Sequence, residues 1–214
     1  HNWLRRHWLA LVTALALVVL LLAVVLGAVG WVGSERAIHP ARPVETHMLA
    51  QYSFAAATET VHFKSLDGVP LAAWFVPADQ TPAAAIVLLP GYSYTRAAVL
   101  PHADYLHHAG YNVLLLDFRN RGESGGDAVT IGAREPLDVR AAVSYLLTRP
   151  EVAPQQIALQ GVSLGAASGL LAMRDDSRVA AIVSEAAFTS LSATVARSFT
   201  NFIHLPSFPF APIT

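Results

Sequence analysis

The stretch Gln156-Ile157-Ala158-Leu159-Gln160-Gly161-Val162-Ser163-Leu164-Gly165-Ala166-Ala167-Ser168-Gly169 decides how this chain is read. An apolar run leads into Gly-x-Ser-x-Gly, and small residues compatible with a helix follow, so the pattern predicts a strand, a sharp corner and a helix. Glycine at 161 and 165 leaves room for that corner, because a Cβ at either position would crowd the neighbouring strand or helix. Ser163 stands at the turn, where its hydroxyl is lifted above the sheet. A helix starting at Leu164 would aim free amides and its positive end at an oxyanion forming there. Alone, such a pattern can equally be a Gly-rich turn that packs helix against sheet; the strand before it and the helix after it favour a nucleophile.

Outward from this corner, Ala84 to Leu89, Val113 to Leu116 and Val179 to Val183 are further apolar runs without alternation. Segments apolar on both faces indicate buried parallel strands. Ala98, His102, Tyr105, Leu106 and Ala109 recur at helix spacing, as do Val139, Ala142, Val143 and Leu146. The second of these helices carries Glu135, Pro136 and Asp138 in its first turn, which are start signals. Glu59 to Ser65 and Pro70 to Val76 are β-prone runs separated by Leu66-Asp67-Gly68, and Asp-Gly between such runs predicts a hairpin. Strand and helix then alternate, so the expected architecture is α/β, a doubly wound, mostly parallel sheet opened by an antiparallel pair.

The N-terminal end is of a different kind. The 214 residues are 54% hydrophobic and only 14% charged, with a mean hydropathy of +0.44, too apolar for an ordinary soluble domain. No Asp, Glu, Lys or Arg lies between Arg6 and Glu35, an interval long enough for the roughly 20 apolar residues that a bilayer core requires. Trp8 and Trp31 bracket it, as indoles do at two headgroup levels, and Arg5 and Arg6 precede it. Residues 1–34 therefore read as a transmembrane signal anchor, with a cleaved secretory signal ending near Ala28 or Gly30 as the competing reading. Arg36 and Arg42 nearly balance the basic pair before the run; the orientation favoured is a single-pass protein of the cell membrane with its catalytic domain extracytoplasmic. Residues 35–56, with Pro40 and Pro43, are expected as a juxtamembrane linker, and 57–214 as one partial domain. The sequence opens at His1 and stops at Thr214, and it reads as cut at both ends.

Several functions are disfavoured. With a net charge of −1 and scattered basic residues, nothing suggests a nucleic-acid partner. Nine histidines are present, but none forms a spaced set with a second ligand type, so no metal is expected, and a serine nucleophile calls for no organic cofactor. The absence of cysteine removes disulfides, thiol nucleophiles and Cys-ligated zinc.

From about Glu59 onward the chain resembles the α/β-hydrolase superfamily, and within it the esterase and serine-aminopeptidase-like branch that includes small membrane-anchored members. The resemblance rests on Leu88-Leu89-Pro90-Gly91-Tyr92, on Asp117-Phe118-Arg119-Asn120-Arg121-Gly122-Glu123-Ser124, and on Gly161-Val162-Ser163-Leu164-Gly165, in that order and spacing. It implies a serine hydrolase that cleaves an ester, thioester or amide of a small molecule or peptide through an acyl-enzyme on Ser163. The backbone N–H groups of Tyr92 and Leu164 would form the oxyanion hole. Pro90 stands where the family usually has His, which removes a side-chain hydrogen bond that steadies this loop. The Asp117 to Ser124 segment is expected to hold structure near the site.

In this fold the acid and the histidine follow the serine in chain order. Only His204 follows Ser163 here, in a segment where the family places a cap; the resemblance puts the acid and histidine after two further strands, so residues 35–214 alone are expected to be inactive. Glu185, ending the strand after the elbow, reads as a loop carboxylate. His102, His107 and His108 read as satisfied or solvent-facing. Two alternatives stay open: a non-catalytic membrane-tethered binding module, and an acyltransferase.

Overall fold

A computed structural model describes residues 2–174, 176–194 and 197 of the chain. The chain divides into two compact units, His1–Pro40 and Ala41–Thr214. The first is the helix α1 (Asn2–Ile38). Within it, His7–Ile38 is long and apolar enough to cross a membrane, a property that anchors and signal sequences share.

The second unit is built on a six-stranded sheet. β1 (Glu59–Lys64) and β2 (Pro70–Val76) form the expected antiparallel hairpin. Its turn closes through Ser65 N–H to the Val69 carbonyl at 2.8 Å, and Gly68 takes φ +90° there, a conformation that favours glycine. β3 (Ala83–Leu89), β4 (Asn112–Leu116), β5 (Val152–Val162) and β6 (Val179–Glu185) run parallel, and β2 joins them antiparallel to β4. The order is β1-β2-β4-β3-β5-β6, with β4 and β3 at the centre and β5 beside β3. The helices are α2 (Leu100–His108), α3 (Glu135–Leu146) and α4 (Leu164–Arg174). This is the α/β architecture that the alternation of elements predicts.

Period-two side-chain placement divides the core into two layers. Val113 and Leu115 of β4 and Leu88 of β3 pack with Leu100, Ala103 and Leu106 on the α2 face. Leu114 and Leu116, with Val87 and Leu89, pack instead with Val139, Ala142 and Leu146 of α3 and Ala172 of α4. Both faces of β3 and β4 are thus covered, which is why these strands read as unbroken apolar runs.

Two boundaries differ from expectation. β5 starts at Val152, before the apolar run that marks it, because Pro154 and the polar pair Gln155-Gln156 disguise its first half. Gln155 takes φ +64°, and the register against β3 shifts between Ala83↔Val152 and Ala85↔Ile157, so the irregular stretch is a bulge. The segment 35–56, expected as a linker, contains the end of α1 and then the 3-10 turns Thr46–Gln51 and Ser53–Ala57. From Ala41 onward it is stitched to the folded unit. Phe54 is buried in the α2-side core, Thr95 Oγ1 donates to Glu45 Oε2 at 2.7 Å, and the Arg42 guanidinium donates to the Ser124 carbonyl. The buried Phe54 ring contributes much of the contact area that such a stretch makes with a domain, and hydropathy averaged over a polar window conceals it.

Candidate active site

Ser163 occupies the junction between β5 and α4, held at φ +52°. That region is uncommon for residues other than glycine and is the strained conformation of a strand-to-helix elbow. Three contacts define the corner. Ser163 N–H donates to the Glu185 carbonyl at 2.8 Å, and the Ser163 carbonyl accepts from Ala167 N–H at 3.0 Å as the first bond of α4. On the third side, the loop after β3 lies close: a Cβ placed on Gly91 would stand 3.8 Å from the Ser163 Cβ and 3.3 Å from Tyr94 Cδ2.

The two flanking glycines are required sterically. A Cβ on Gly161 would meet Ala166 N and Gly165 C at 2.6 Å, and one on Gly165 would fall 2.6 Å from the Leu89 carbonyl carbon and even closer to its oxygen. α4 therefore starts against the ends of β3 and β5, with Leu164 buried directly after the serine. Leu164, Ser163 and the Gly91–Tyr92 peptide are brought into one neighbourhood by these contacts.

The DFRNRGES loop supplies the support behind it. Arg121 is 2% exposed. Its Nε donates to the Tyr92 carbonyl at 2.7 Å, its Nη2 reaches the same oxygen, and its guanidinium carbon lies 5.2 Å from the Tyr92 ring centroid. Burial pulls the Arg121 pKa down from its usual value, with the interaction with Tyr92 opposing. Asp117 is 1% exposed and engaged in holding the loop: Oδ1 accepts from Arg96 N–H at 2.7 Å and Oδ2 from Glu123 N–H at 3.2 Å. Gly122 leaves the space that this carboxylate fills. Burial pushes the Asp117 pKa up, against the pull of the Arg96 guanidinium 3.5 Å away. Further back, Arg119 bridges Asp138 at 2.7 Å and Asp67 at 2.8 Å, tying the β1–β2 turn to α3.

Among the histidines, His108 is exposed, while His107 packs against the Phe54 ring with centroids 5.4 Å apart. His102 is half-buried, and its Nε2 lies 3.6 Å from Glu185 Oε1. His204 falls outside the described residues. Among the described residues, no group of three or more His, Asp or Glu is placed to hold a metal. Sequence reasoning did not find Arg121 as the partner of Tyr92, nor the contacts of Gln160 with Tyr105 and Glu185. The DFRNRGES spacing marked Arg121 only as a loop residue, and Gln160 carried no signal beyond its place on the strand.

Comparison with known proteins agrees with the fold. Residues 67–203 match the X-Pro dipeptidyl-peptidase (S15) family. The uncharacterized protein YfhR of Escherichia coli (strain K12) is 30% identical over 146 residues, covering 65% of this chain and 50% of YfhR. The polyketide transferase grgF of Penicillium sp is 36% identical over 129 residues, covering 59% of this chain and 44% of grgF. The chain spans about half the length of the curated relatives it matches. Among solved structures, the Pyrococcus furiosus esterase Pf2001 superposes with a TM-score of 0.69 at 28% identity, covering 83% of this chain and 68% of that one. The elbow at Ser163, the sheet order around it and a family match over more than half the sequence together establish that this chain belongs to the S15 family of the α/β-hydrolase superfamily.

Proposed function

We propose that the chain carries the nucleophile of a serine hydrolase that cleaves an ester, thioester or amide through an acyl-enzyme on Ser163. The observation that carries this reading is the left-handed serine at the β5–α4 corner with the Gly91 loop against it. Ser163 Oγ attacks the substrate carbonyl carbon, and its proton passes through a histidine base to the leaving group as the bond to that group breaks. Water then releases the acid by the reverse sequence. The amides of Tyr92 and Leu164 stabilise the oxyanion formed in each half. In this fold the acid and base follow the serine in chain order, so the test uses the full-length protein. Ser163→Ala is expected to abolish labelling by a fluorophosphonate probe, and full labelling of that variant overturns the assignment.

The likeness to a polyketide transferase supports a second reading, acyl transfer from the same acyl-serine to an alcohol. Product analysis with a competing alcohol separates the two, since ester formation over hydrolysis favours transfer. The apolar stretch His7–Ile38 supports a single-pass membrane anchor, and we place the catalytic domain outside the cell. Recovery of the intact protein in the soluble fraction after cell lysis would contradict that placement.

A further inference from the structure

The last pair of the β5–β6 ladder is Val162↔Glu185, so the elbow and the end of β6 share one backbone junction. The Ser163 N–H bond to the Glu185 carbonyl, 2.8 Å long, joins a strained residue to one that is itself about to turn. Ala186, next in the chain, takes φ +53°. Five backbone pairs precede this one in the parallel ladder, from Ile157↔Val179 to Gly161↔Ser184. The Glu185 side chain adds polar contacts to the backbone pairing that places its carbonyl.

Those contacts are present. Gln160, only 7% exposed on β5, donates from Nε2 to Glu185 Oε1 at 2.9 Å and to the Tyr105 hydroxyl at 2.7 Å. The Tyr105 hydroxyl lies 3.2 Å from Gln160 Oε1 in the same pair. His102, one turn before Tyr105 on α2, brings Nε2 to 3.6 Å from the same carboxylate oxygen, its ring 5.9 Å from the Tyr105 ring. The Glu185 carboxylate thus ties the end of β6 to β5 and faces α2 across the sheet.

We infer that Glu185 and Gln160 are positioning residues for the nucleophile, acting through the Glu185 carbonyl to hold Ser163 in its left-handed conformation. This rests on the assignment of Ser163 as the nucleophile. Loss of the tether frees the end of β6, lengthens the bond to the Ser163 amide and lets the elbow relax, so that Oγ leaves its line of attack. Misplacement on this scale slows reaction without removing any group that touches the acyl substrate.

The test measures the second-order rate of fluorophosphonate labelling of Ser163, with kcat and KM for a p-nitrophenyl ester, in the full-length protein. Glu185→Ala and Gln160→Ala are each expected to slow labelling and lower kcat by roughly tenfold while KM holds. Glu185→Gln keeps an accepting oxygen towards Gln160 and is expected to recover most of the rate. A purely structural role would lower the melting temperature of the alanine variants and leave labelling of the folded fraction at the wild-type rate, which overturns the proposal. A Glu185→Gln protein as slow as Glu185→Ala also overturns it, and Gln160→Ala decides the question if Glu185→Ala does not fold. A wild-type protein that the probe does not label at Ser163 overturns the nucleophile assignment and this inference together, whereas a labelled wild type with unaffected variants removes this inference alone.

Discussion

The buried guanidinium of Arg121 grips the carbonyl oxygen of Tyr92, with Nε donating at 2.7 Å, across 29 positions of sequence. Tyr92 follows Gly91, whose Cα faces the Ser163 Cβ, so the grip fixes the loop whose amide is proposed to meet the oxyanion. A planar fork donating twice to one acceptor leaves a loop little rotational freedom, which a lysine ammonium cannot reproduce.

Replacing Arg121 by Ala is accordingly expected to lower kcat of the full-length enzyme by roughly tenfold or more, short of the loss on deleting an oxyanion donor outright. Arg121→Lys keeps the charge and loses the fork, and it should fall between alanine and wild type. Esterase kinetics on the three proteins check this order, and equal rates for all three would remove Arg121 from the site.

Glycines 165 and 169 separate backbone from side-chain crowding on one helix. A Cβ on Gly165 would strike the Leu89 main chain, whereas the nearest atoms to one on Gly169 are Ile182 Cδ1 at 2.8 Å, Leu89 Cδ1 at 3.1 Å and Leu159 Cδ1 at 3.6 Å, ends of side chains that can turn aside. Gly165→Ala is therefore expected to destabilise by about 3 kcal/mol and Gly169→Ala by about 1 kcal/mol or less. Urea denaturation of both variants measures the difference.

The turn at Asp67 should make stability depend on pH at the acid end. Its hydrogen bonds to Arg119 hold the Asp67 pKa down at about 2, from an ordinary 3.8. A carboxylate with a depressed folded-state pKa stabilises fully above its unfolded value, and that contribution fades as pH falls towards about 2. Asp67 is partly open to solvent, which screens the pair, so Asp67→Asn should cost about 1 kcal/mol near neutrality. The gap between the two proteins should close on acidification, and thermal melts across that range follow it.

The residues around Ser163 were legible early because the signals that mark them are local. Gly161, Ser163 and Gly165 obey steric rules that act over one turn of chain, and Leu114 beside Leu115 announces a strand covered on both faces. Phe54 escaped notice because one buried ring inside a polar stretch leaves no periodic trace. The start of β5 was hidden because a bulge holding Pro154 breaks the pattern that identifies a strand.

What the amino-acid order settled by itself was therefore the alternation of strand and helix, the corner at Ser163 and the apolar helix before Pro40, since each follows from periodicity or from the space a single Cβ occupies. Tertiary structure alone decided that Arg121 holds Tyr92, that Glu185 offers its carbonyl to Ser163, and that Gln160 meets Tyr105 across 55 positions of sequence. Such pairings form only when the sheet and helices are assembled. A polar side chain can satisfy its hydrogen bonds with many partners, and packing selects the one it reaches.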